Sequence, residues 1–132
     1  MRIRRAALAL ALLGLLALAS SEGQTRASCL PIDSYTPFAF ESLTISNTSV
    51  GLTTATFAPS GQPPAVYASG RLETNPARYR SDGVAPTAAV GVLINSSDGV
   101  EVCGEQNLRA VRFIRQGAAD ATLQIVYYRK SQ

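Results

Sequence analysis

The 132-residue sequence predicts an all-β protein, an antiparallel β-sandwich of about eight short strands with immunoglobulin-like or jelly-roll topology. Three observations carry this reading. From Phe38 onward, short β-type runs are broken by turn residues at near-regular intervals. No segment beyond the N-terminal apolar run shows a helical hydrophobic period. The linkers are too short for the crossovers that parallel strands need, so successive strands are expected to run antiparallel.

The elements follow in order. Met1-Arg2-Ile3-Arg4-Arg5 precedes Ala6–Ala19, a run almost wholly of Ala and Leu. Basic residues followed by an apolar core are the order of a secretory signal peptide. Ala17-Leu18-Ala19 supplies a small-x-small cleavage site, with Ser20 as the new N-terminus. A membrane-spanning helix needs about 20 apolar residues, more than this run holds, although a retained apolar anchor is the alternative. Residues 20–37 are polar with scattered Pro and Gly and are expected to form an extended arm; residues 38–132 are the sandwich domain.

Within the domain, Phe38–Ile45 alternates loosely, and Val50–Phe57, rich in Thr, reads as a half-buried strand. Ala58–Pro64 must be a loop. Ala65–Leu72 alternates cleanly, with Val66, Ala68, Gly70 and Leu72 on one face. Ala77–Arg80 is a short strand ended by Ser81-Asp82-Gly83. Val90–Ile94 reads as a buried run, which Asp98-Gly99 turns into Val100–Cys103. Leu108–Ile114 is expected as a strand with Leu108, Ala110, Arg112 and Ile114 on one face. Gly117–Asp120 would close it into a hairpin with Ala121–Arg129, the strongest strand in the chain.

Charge and cysteine usage narrow the function classes. The full chain has 12 Lys+Arg against 9 Asp+Glu. Arg2, Arg4 and Arg5 leave with the signal, so the remaining chain is balanced at zero net charge. Nucleic-acid binding needs a clustered cationic excess, and nucleic acid is therefore not an expected partner. Cys29 and Cys103 are the only cysteines. In an exported chain an even count reads as a disulfide. Closing so long a loop is worth about 4 kcal/mol on the chain-entropy model.

Little in the sequence points to catalysis. Without histidine there is no Ser-His or Cys-His nucleophile pair of the usual kind, and a zinc site would have to be all carboxylate. Asp98, Glu101 and Glu105 are the densest acidic group, but turn chemistry and solvent exposure account for them more simply than a carboxylate pair does. Asp82 and Asp98 sit in turns that lack the ligand density of a calcium loop. No cofactor or metal is expected. Asn47-Thr48-Ser49 and Asn95-Ser96-Ser97 match the N-glycosylation pattern and read as polar loop residues. Tyr67, Tyr79, Tyr127 and Tyr128 could supply stacking faces for a sugar, but Tyr127 and Tyr128 must point to opposite sides of their strand.

Two blocks carry a resemblance. Ala77-Arg78-Tyr79-Arg80-Ser81-Asp82-Gly83-Val84-Ala85-Pro86-Thr87-Ala88, followed by Val90-Gly91, and the later stretch from Leu108 to Arg129, are similar to small β-sandwich virion structural proteins of tailed phages. The likeness spans roughly Val50–Arg129. It implies a non-enzymatic capsid decoration or fibre-associated protein, oligomeric and in contact with other virion proteins or with itself. The candidate interaction surface is Tyr67, Arg78, Tyr79 and Arg80. The signal and cysteine pair depart from that family. They suit the alternative, an exported periplasmic or cell-surface binding module whose ligand would be a glycan.

Overall fold

The computed structural model describes Cys29 and residues 34–131. The expected signal peptide, and all of the expected arm except Cys29 and residues 34–37, lie outside the described residues. In chain order the elements are β1 (Tyr35–Ile45), β2 (Val50–Gly51), α1 (Thr54–Phe57), β3 (Tyr67–Glu73), β4 (Ala77–Arg80), β5 (Val92–Ile94), β6 (Gly99–Cys103), α2 (Glu105–Ala110), β7 (Arg112–Arg115) and β8 (Ala121–Lys130).

The strands form two four-stranded sheets, ordered β1-β8-β3-β6 and β2-β7-β4-β5, and all their pairings are antiparallel. The first strand lies beside the last, the second beside the seventh, the third beside the sixth and the fourth beside the fifth. That order describes one long double strand with its tip at β4–β5, wound so that successive pairs alternate between sheets. It is the jelly roll. Immunoglobulin connectivity is excluded, because it places sequential strands such as A and B side by side in one sheet. Here, among the described residues, β4 and β5 alone are sequential neighbours.

The core lies between the sheets and follows from period-two patterning. On β8, Ala121, Leu123, Ile125 and Tyr127 are buried while the residues between them are half-buried on the outer face. Leu43 and Ile45 of β1, Ala68 and Leu72 of β3, and Val100 and Val102 of β6 complete the inner face of that sheet. Ala77, Ile94 and Phe113 meet them from the other. Gly70 lets β3 run close to β8, since an added Cβ would come within 2.9 Å of the Ile125 Cα.

The structure corrects several sequence-based expectations. Val50–Phe57 is not a strand throughout: after the two residues of β2 the chain makes the single helical turn α1. Leu52 and Phe57 are both buried, and alternation would have sent residues five apart to opposite faces. Leu108–Ile114 divides likewise into the end of α2 and β7. Leu108, Val111 and Phe113 all go inward, whereas alternation would set Leu108 on the face opposite the other two; the i,i+3 spacing of the first two is helical. β7 and β8 are not a hairpin, because they lie in different sheets. Val90–Ile94 is not a buried run: Val90, Val92 and Leu93 are exposed and only Ile94 is buried at that end. The sandwich also begins earlier than Phe38, since β1 pairs with β8 from Tyr35 onward.

Candidate functional site

The four residues of the expected interaction surface do not come together. Tyr67 stands on the outer face of the β1-β8-β3-β6 sheet, opposite the core residue Ala68. Its ring lies 5.2 Å from that of Tyr128 and 5.9 Å from that of Tyr35. Its hydroxyl donates to Glu101 Oε1 at 3.1 Å. Partial burial, with the nearby Glu101 carboxylate adding to it, raises the Tyr67 pKa. This tyrosine face adjoins the Cys29–Cys103 disulfide, because Cys103 pairs with Tyr67 across β3 and β6.

Tyr79 belongs to the opposite sheet and faces inward beside Ala77, packed against the core with its ring 6.0 Å from Phe113. It lines three adjoining concavities, two of about 390 Å³ and one of about 220 Å³. They lie where the edge strands β5 and β6 part. Val90, Gly91 and Val92 line one; Leu93, Asp98 and Glu101 line the next. At the other open side, by contrast, α1 inserts the fully buried Phe57.

Arg78 and Arg80 alternate with Tyr79 and point to the outer face of β4. Arg78 braces the β4–β5 connection: Nε donates to Ala88 O and Nη1 to Gly91 O, each at 2.9 Å. Arg80 forms an ion pair with Asp82. Hydrogen bonding from Arg80 is the main reason that the Asp82 carboxyl is held down at about 2. The connection is further fixed by Pro86, which is buried. Thr87 and Val90 exchange backbone hydrogen bonds of 3.0 and 3.2 Å. Gly91 adopts a φ of 134°, and a Cβ there would meet the Tyr79 carbonyl at 3.0 Å.

The remaining polar residues have structural partners. Asp98 Oδ2 accepts from the Asn95 N–H at 2.8 Å, a turn contact. Glu105 pairs with Arg109 one helical turn on. Tyr127 is interior, and its hydroxyl donates to Glu41. Among the described residues no group of three or more His, Cys, Asp or Glu side chains converges as a metal site.

Sequence reading missed the exposed aliphatic group Val84, Val90, Val92 and Leu93, together with Tyr35 and Glu41. A run such as Val90–Ile94 has the same composition whether covered on both faces or lying at an edge. Only strand order separates the two.

Fold and surfaces together define a disulfide-linked jelly-roll module with an aromatic sheet face and an apolar hairpin tip. No known protein family, curated protein or solved structure matches the chain.

Proposed function

We infer that this chain is a non-enzymatic structural protein of a virus particle, a small capsid decoration or fibre-associated jelly roll. The observation that carries the reading is the β4–β5 hairpin. The block that resembles phage virion proteins is also the part of the surface built as a rigid apolar projection. Arg78, Pro86 and the Thr87–Val90 hydrogen bonds hold it, and Val84 and Val90 stand exposed upon it. Such a patch suits contact with another protein. The jelly roll recurs in capsid proteins, which supports the reading by analogy of fold. Mass spectrometry of gradient-purified particles tests it: the chain should be present in stoichiometric amount, and its absence would end the proposal.

A second reading is favoured by the disulfide and by the tyrosine face beside it. An exported module could stack a glycan on Tyr35, Tyr67 and Tyr128, the polar rim being Glu101 and Ser69. Screening on a glycan array, with Tyr67→Ala and Tyr128→Ala as controls, decides it. No binding, or binding untouched by both changes, would eliminate this reading.

A further inference from the structure

We propose that the end of the sandwich carrying the β4–β5 hairpin docks on an anionic phospholipid membrane, the hairpin tip entering the headgroup layer and the surrounding cations meeting lipid phosphates. The strand register defines this end. Gly51 and Arg80 both pair with Arg112, so β2 and β4 finish there and β7 begins there. In the other sheet Tyr67 pairs with Cys103 and Tyr128, which sets the start of β3 beside the ends of β6 and β8. The short connections between the sheets, residues 46–49, 74–76 and 116–120, all lie at the opposite end. The hairpin loop, the loop at residues 58–64 and α2 therefore share one end.

Both of these loops are free of charge. Residues 83–90 are small or aliphatic apart from Thr87, and all but Pro86 are exposed. Val84 is 52% and Val90 53% exposed. Residues 58–64 hold three prolines and no ionisable side chain. Asp82, the carboxylate next to the tip, is paired with Arg80. Such a tip enters a bilayer interface without the cost of burying an unpaired charge. Arg78 and Thr87 already fix its shape, so little order remains to be acquired on binding.

Charge is divided unevenly between the two ends. Arg78, Arg80, Arg109, Arg112, Arg129 and Lys130 lie toward the hairpin end, against Asp82 and Glu105. Glu73, Asp98 and Asp120 lie toward the other with Arg71 and Arg115, and Glu41 and Glu101 stand midway along their strands. Both carboxylates of the hairpin end are consumed in ion pairs, with Arg80 and Arg109. Among the described residues, Arg78, Arg112, Arg129 and Lys130 have no acidic partner. Arg78 and Arg112 donate to backbone carbonyls, and Arg129 donates to Gln62 while lying over the Phe38 ring. Those contacts hold the guanidinium groups in place without cancelling their charge. Cations around an apolar projection are what an anionic bilayer binds. Neutral lipid would leave the cations unused, and a polyanion in water would leave the tip unused. This inference does not rest on the virion reading: absence from particles would end that reading and leave vesicle binding as measured.

Vesicle flotation of the chain from Ser20, which keeps every described residue, tests the proposal; residues 6–19 are left out because so apolar a run binds lipid by itself. Binding is expected to phosphatidylcholine vesicles containing about one-third phosphatidylserine and not to phosphatidylcholine alone. It should be lost at about 1 M salt, where charges are screened within about 3 Å. Lys130→Gln should weaken binding about fivefold, the effect of one cation near such a surface. Val84→Ser/Val90→Ser should weaken it at least as much, whereas Phe40→Ser, midway along β1, should leave it unchanged. The chain has no tryptophan, so Ala89→Trp places a single reporter at the tip. Its emission should shift to the blue on the anionic vesicles, and that of Asn47→Trp, in the turn after β1 at the opposite end, should not. Circular dichroism establishes that each variant is folded. Failure to bind anionic vesicles overturns the proposal, as does equal binding to neutral ones. Binding untouched by the Lys130 and valine changes, or an unshifted Ala89→Trp emission in the bound state, does the same. Association with purified particles but not with vesicles would assign this end to a protein partner and equally overturn membrane docking.

Discussion

Tyr127 closes the inward row of β8 with the polar end of an otherwise buried ring. Its hydroxyl donates to Glu41 Oε2 at 2.5 Å. The same carboxylate accepts the Thr53 hydroxyl, and also the Thr53 N–H at 3.2 Å. Burial, reinforced by Glu41, drives the Tyr127 pKa upward, so the hydroxyl stays a donor across the physiological range. Tyr127→Phe keeps the ring packing and removes the donor from a half-buried carboxylate. It should lower stability by about 1–2 kcal/mol, read as an earlier urea midpoint at unchanged slope. On the outer surface Asp82 behaves differently. Its carboxyl, held at about 2 by Arg80, lies below the unfolded value of about 3.9. Its stabilising contribution is therefore fully present above about pH 4 and lost as the pH falls through about 2. NMR titration should place the Asp82 midpoint near 2, and Arg80→Ala should return it to the ordinary carboxylate range.

At the scale of elements, α1 is only one helical turn, yet it fills the open side between β1 and β2. Phe57 is fully buried with its ring 5.9 Å from that of Tyr127, and the Arg109 guanidinium stands over the Phe57 ring, 5.5 Å from its centroid. Phe57→Ala should cost about 3–5 kcal/mol, measured by chemical unfolding; a loss below 1 kcal/mol would mean that α1 can collapse into the vacated space. This element also marks where sequence patterning stops being informative. β4 and β8 were legible because each alternates over its whole length, and Ala77–Arg80 falls on the observed bounds. In Val50–Phe57, Thr and Val favour strand locally, but burying both Leu52 and Phe57 overrides that preference. α2 had a readable sign in Glu105 and Arg109, spaced i,i+4, outweighed by the apparent alternation after Leu108. The candidate surface was less legible than the strands. Tyr67 and Tyr128 became neighbours through the β3–β8 register, and Tyr79 was turned inward by the burial of Ala77 beside it.

For the whole molecule, the winding brings the first and last strands of the sandwich together and the cysteines act on that closure. β1 and β8 pair over ten register positions, and the Ser131 N–H donates to Ser34 O at 2.9 Å beyond them. β6, which carries Cys103, lies at the far edge of the same sheet. The bond to Cys29 therefore links, through residues 29–34, the two edge strands that the hydrogen-bond ladder leaves furthest apart. The Cα atoms are 5.6 Å apart, within the ordinary disulfide range, and 74 residues apart in sequence. Cross-linking so long a loop restricts the unfolded ensemble by up to about 4 kcal/mol. The jelly-roll core lies between the sheets and contains neither cysteine. A Cys29→Ser/Cys103→Ser chain should consequently keep its far-UV spectrum and lose about 2–4 kcal/mol, with a lower urea midpoint. Reduction of the wild-type protein should reproduce that shift, and the double variant should not respond to reductant. Loss of the native spectrum on reduction would show instead that the sandwich folds only as a disulfide-dependent domain.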